Sequence, residues 1–102
     1  MATLHTVNKS PFQNQSLISC LGHVKAGDSV LMIEDGVYGA MSGSAMSEVV
    51  AGMGVNIKLF VLGADIAARG IDAGRVAEGI TPVGYEEFVD MAASHDRVQN
   101  WL

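Results

Sequence analysis

Charge is scarce in this sequence: 17% of its 102 residues are Asp, Glu, Lys or Arg, against about 25% in ordinary globular chains. With 49% hydrophobic residues, a chain of this size has too little charge to cover its own surface. No apolar run approaches the roughly 18 residues that cross a bilayer, so membrane insertion does not account for the deficit. The remaining explanation is cover by another protein chain, and the expectation is an obligate subunit. Basic residues are fewer still, six Lys+Arg against eleven Asp+Glu. They are scattered, which gives no footprint for direct contact with nucleic acid or anionic lipid. Cysteine occurs once, which excludes an internal disulfide and fits a reducing compartment. The opening residues, MATLHTVNKSP, lack a basic-then-apolar leader. A cytoplasmic protein is expected.

Nucleotide motifs are missing as well. Gly36, Gly39 and Gly43 do not form G-x-G-x-x-G, Gly52 and Gly54 precede a strand pattern, and there is no P-loop. No serine sits in a nucleophile elbow. Three histidines, His5, His23 and His95, have no paired spacing for a metal. No cofactor or metal is expected. A flavodoxin-like binder of a small ligand is left without its phosphate loop.

What is present reads as alternating strands and helices. Leu4 to Asn8 alternates as a first strand. Ser10-Pro11-Phe12-Gln13 has the cap, first-turn proline and third-position glutamine of a helix start, and Leu17, Ile18, Leu21 and Val24 continue at helical spacing as far as Gly22 or Gly27. The unbroken run Val30-Leu31-Met32-Ile33 suits a strand covered on both faces, and Ile57 to Leu62 repeats it. Val37 to Met41 reads as a short helix, Ser42-Gly43-Ser44 as a flexible turn, and 45–53 as weakly helical. Gly63-Ala64-Asp65 turns into a helix ending at Arg69-Gly70. Ile80 to Val83 is read as the final strand, at a sheet edge because of Pro82. Tyr85, Phe88, Val89, Ala92 and Ala93 form an amphipathic helix, and Trp101 gives the tail something to bury. The pattern predicts one three-layer α/β domain over 1–102 with a mainly parallel sheet. Its chemistry is expected beyond the carboxyl ends of the strands, near Asn8-Lys9-Ser10, Glu34-Asp35-Gly36 and Gly63-Ala64-Asp65.

Cys20 is the only strong nucleophile. At the flank of the Leu17–Ile18–Leu21 stripe it has two readings: a partly accessible sulfur carrier, helped by nearby His23 or Lys25, or a small buried hydrophobe. His5, mid-strand, reads as a satisfied core or interface residue, and His95 as a helix-terminal cation. Glu34 and Asp35 end a buried strand, where functional carboxylates occur, but Asp35-Gly36 is also an ordinary turn.

Leu4-His5-Thr6-Val7-Asn8-Lys9-Ser10-Pro11, Leu31-Met32-Ile33-Glu34-Asp35-Gly36-Val37-Tyr38 and Ala64-Asp65-Ile66-Ala67-Ala68-Arg69-Gly70-Ile71 resemble the signature blocks of the DsrH/TusB family. The segment from Tyr85 to Trp101 resembles its ending. The resemblance implies a DsrE-like (flavodoxin-like) fold and a heterohexamer with DsrE/TusD-like and DsrF/TusC-like subunits. It implies persulfide relay to a DsrC/TusE-like acceptor protein, with the principal carrier cysteine on the DsrE/TusD paralogue. A cysteine in the first helix resembles the DsrH pattern. The expectation is therefore dissimilatory sulfur oxidation with Cys20 as catalytic sulfur acceptor. The alternative is a TusB-like, non-catalytic structural subunit for tRNA 2-thiouridine synthesis.

Overall fold

In the computed structural model, residues 2–43, 49 and 57–101 are described. Five strands make one sheet: β1 (Thr3–Val7), β2 (Ser29–Met32), β3 (Lys58–Leu62), β4 (Ile80–Val83) and β5 (Arg97–Trp101), in the order β4-β3-β2-β1-β5. Every pair of neighbouring strands is parallel. The helices are α1 (Ser16–Leu21), α2 (Gly63–Ala68) and α3 (Tyr85–Ser94), with 3₁₀ turns over Glu34–Ala40 and Ala73–Arg75. The expectation of an α/β fold holds, and the central strands β1, β2 and β3 are buried on both sides, while the edge strands β4 and β5 are largely exposed. The weakly helical stretch 45–53 lies outside the described residues except at position 49, which is helical.

The register explains the layers. Side chains directly paired across parallel strands share a face, so His5 lies beside Val30 and Leu59, and Val7 beside Met32 and Val61. That face, with Leu17, Cys20 and Leu21 of α1 and Ile66 of α2, forms the main apolar cluster. The opposite face carries Leu4 and Leu31, both fully buried. His95, just after α3, bonds through Nε2 to the Ser29 hydroxyl on that second face, at 2.9 Å. Chain order dictates this division. The sheet grows outward from β1 to β4, then returns past β1 to place β5. Right-handed crossovers in opposite directions put their helices on opposite faces.

Four local expectations need correction. Ser10 does cap a turn, its carbonyl accepting from Gln13 and Asn14, but α1 begins only at Ser16. There Asn14 Oδ1 accepts from the Ser16 amide and hydroxyl, at 2.8 and 2.5 Å. Ile18 is not part of the buried stripe; it is 51% exposed. Ile80–Val83 is an edge strand but not the last, because β5 follows and pairs with β1. In α3 the sheet-facing positions are Phe88, Met91 and Ala92, all half-buried, while Tyr85 and Val89 project outward, 60% and 67% exposed.

Candidate functional site

Cys20 is the first residue to place. With Ile18 turned outward, the buried side of α1 consists of Ser16, Leu17, Cys20 and Leu21, which puts the thiol inside the stripe rather than at its flank. Its exposure is 0%. Burial, reinforced by the Asp28 charge, pushes its pKa up to about 12. Three pKa units above an ordinary thiol at 9.0 leave about a thousandfold less thiolate near neutral pH. His23 does not relieve this. The helix has ended at Leu21, and His23 Nδ1 donates to the Ser19 carbonyl at 2.7 Å while its ring lies 5.4 Å from that of Trp101.

Alkylation tests this environment. At pH 8 Cys20 in the folded chain is expected to react with iodoacetamide about a thousandfold more slowly than in the unfolded chain. Equal rates by mass spectrometry would show an accessible thiol. The raised value favours the neutral thiol in the fold, so this contribution to stability is lost as pH rises from about 9 towards 12.

Beside α1 lies a polar cluster that spans three elements. Asp28, buried at the mouth of β2, accepts from the Thr3 amide (3.0 Å), the Lys25 amide (3.0 Å) and His5 Nε2 (2.9 Å). On its other side, His5 Nδ1 accepts from Trp101 Nε1 at 3.0 Å. An indole N–H can only donate, so the His5 ring proton is assigned to Nε2, facing Asp28. Burial alone would raise the Asp28 pKa, but the bonds from His5, Thr3 and Lys25 outweigh it and hold the carboxyl below its usual 3.8. Both His5 nitrogens are engaged, which leaves no general base. The cluster, with His23, Lys25, Arg97, Val98 and Gln99, lines a cleft of about 550 Å³. His5 is thus the satisfied buried residue its sequence position suggested. Asp28 and its link to Trp101 were not legible beforehand, because the partners lie 23 and 96 residues from His5.

The carboxyl edge of the sheet is held differently. Glu34 adopts a positive φ of 50°, and its amide donates to Asp65 Oδ2 at 2.7 Å. Arg69 donates to Asp35 through Nε at 3.0 Å, its second nitrogen lying 2.9 Å from the same oxygen. Asp35 is therefore a tethered turn residue, and Glu34 is exposed at the strand end. The structure does not bring Cys20 together with Glu34 and Asp35: the thiol packs under α1 while the carboxylates sit at the strand ends. Among the described residues, no group of three or more His, Cys, Asp or Glu is placed to hold a metal ion. No described helix is long and apolar enough to cross a membrane.

A family model described as "DsrH like protein" matches residues 9–98. A protein from Erwinia tasmaniensis named "Protein TusB" is 38% identical over 98 residues, covering 96% of this chain and 99% of that one. "Protein TusB" of Escherichia coli O1:K1 is 32% identical with the same coverage. Among solved structures, the ychN protein of Escherichia coli superposes with a TM-score of 0.76 at 17% identity, over 98% of this chain and 99% of that one. Protein MTH1491 of Methanobacterium thermoautotrophicum gives 0.73 at 18%, over 96% of each. At such identities these two structures speak to the fold alone.

Proposed function

This chain belongs to the DsrH family, and from that premise we propose that it is a single-domain structural subunit of a cytoplasmic sulfur-relay heterohexamer serving tRNA 2-thiouridine synthesis. Its partners in this reading are TusD-like and TusC-like subunits, with a TusE-like protein as sulfur acceptor. The observation that carries the reading is the burial of the chain's only thiol: Cys20 is 0% exposed, with a pKa near 12. Persulfide transfer needs a thiolate in reach of its donor, so the carrier role expected for Cys20 passes to a partner subunit. Tyr85 and Val89, large apolar side chains on the open side of α3, supply surface for the assembly that the poverty of charge implies.

The choice of branch follows the relatives. A cysteine in the first helix had pointed to sulfur oxidation, yet relatives 32% and 38% identical over nearly the whole chain are named Protein TusB. Identity across the full length outweighs one position whose side chain is packed in the core.

Reconstitution with the two paralogous subunits and the acceptor tests this. Cys20→Ser is expected to leave hexamer formation intact and sulfur transfer within about twofold of the parent, whereas Val89→Glu disrupts assembly. Sulfur mass gained on Cys20, together with lost transfer in an intact Cys20→Ser hexamer, would instead make this chain a carrier. If the chain fails to restore 2-thiouridine in cells lacking their own TusB-like subunit, the tRNA branch is wrong.

A further inference from the structure

The sheet has two edges, and they are built differently. β4 carries Pro82, which has no N–H to offer a further strand. β5 has no such guard. Its sequence RVQNW holds no proline or glycine and one charged residue, and positions 97–100 are exposed. No described strand lies beyond it. The register tells which of its backbone groups face out. The Val7 carbonyl points to β2, where it accepts from Ile33, so Leu4 and Thr6, out of phase by one residue, point to β5. In a parallel ladder such a residue bonds to the two residues flanking its register partner. Leu4 stands opposite Val98 and Thr6 opposite Asn100. Arg97, Gln99 and Trp101 therefore face β1, while Val98 and Asn100 turn their N–H and C=O groups to the open edge. There the Asn100 carbonyl accepts only a long bond from the Gln99 side-chain amide, at 3.3 Å.

We propose that this edge pairs with β5 of a second copy of the chain, antiparallel about a two-fold axis through Gln99. The strand specifies that occupant itself. With the axis at Gln99, Val98 of each copy meets Asn100 of the other, so every outward N–H and C=O of β5 is used, as two hydrogen-bonded pairs. A slip of two residues either way leaves one such pair within the strands. The charges agree with this register. Arg97, the one charged residue of β5, does not meet its own copy but stands opposite the other copy's Trp101. Both project on the α1 face, where a cation beside an indole is favourable. Val98, 45% exposed, gains cover from Asn100 of the other copy. Neither face of β5 is roofed by a helix, since its residues on both faces are exposed, so the way to the edge is open. The proposal is independent of the sulfur-relay reading: it needs the edge and not the family.

Sedimentation of the full 102-residue chain up to millimolar concentration makes the test. A monomer–dimer equilibrium is expected, half-complete at roughly 0.1 mM. Val98→Pro removes an N–H that faces the open edge and none that bonds to β1, so the fold tolerates it. It should weaken dimerisation at least about tenfold, with circular dichroism confirming that the variant is folded. Amide exchange by NMR locates the contact. The Val98 and Asn100 amides should exchange more slowly as concentration rises, while the Gln99 amide, bonded to β1, is protected throughout. Should Val98→Pro not fold, the exchange of these amides in the parent decides. A chain that stays monomeric at millimolar concentration overturns the proposal. So does undiminished dimerisation in folded Val98→Pro, or exchange at Val98 and Asn100 that is the same in monomer and dimer.

Discussion

Asp28→Ala is expected to cost about 3–5 kcal/mol, a large share of the roughly 5–15 kcal/mol that holds a small domain together. The carboxylate terminates three donors, from Thr3, Lys25 and His5, and two belong to segments that alanine would leave without an acceptor. Asp28→Asn is expected to do little better. One amide oxygen replaces two carboxylate oxygens, and the new NH₂ faces an N–H. His5 cannot adapt by moving its proton to Nδ1, because Trp101 already donates there. Urea denaturation of parent and variants measures the loss. If Asp28→Ala falls within 1 kcal/mol of the parent, the cluster is not what ties β1, β2 and β5 together. The acid limb should follow. The Asp28 carboxyl titrates below its ordinary 3.8, so its stabilisation is present above about pH 4 and lost as pH falls through the lower folded-state value. That acid loss should disappear in Asp28→Asn.

Gly36→Ala is expected to cost about 3 kcal/mol or more, at or beyond the upper end of ordinary overpacking. A Cβ at this position would stand 2.1 Å from the Val7 carbonyl oxygen and 2.9 Å from its carbon. Neither atom can yield easily. Val7 ends an internal strand, and its carbonyl accepts from the Ile33 amide at 2.9 Å. Gly39→Ala is the control: its Cβ would meet Leu17 Cδ2 at 2.5 Å, the end of a side chain that can rotate, and a loss of roughly 1 kcal/mol is expected. Comparing the two thermal midpoints checks the contrast. Equal shifts would mean that the strand end moves as freely as a leucine methyl. The same close approach seats the turn from Glu34 onward against β1.

Much of the fold was legible because its signals are local. The runs at Val30–Ile33 and Ile57–Leu62 are apolar on both sides of the strand, and only a sheet covered on both faces accepts that. Pro82 confined its strand to an edge, where β4 lies. The strand Arg97–Trp101 was missed for the converse reason. Four of its five residues are exposed, so no hydrophobic period marks it, and its pairing with β1 supplies what its composition does not. The outward turn of Tyr85 and Val89 was missed because apolar spacing marks a stripe without saying which part of it meets the sheet.

Family, layer order and the poverty of charge could thus be read from the chain by itself, since each depends on residues close together or on whole composition. The state of Cys20 could not. Its accessibility depended on whether Ile18 or Cys20 faced the sheet, a rotation of α1 settled by packing against β1 and β5. Its acidity depended first on that burial and then on Asp28, eight positions on and across a turn. The bond from Trp101 to His5 likewise exists only once β5 has crossed the sheet to lie beside β1. Burial and hydrogen bonding between distant segments are properties of the assembled sheet, and the chemistry of this chain is decided there.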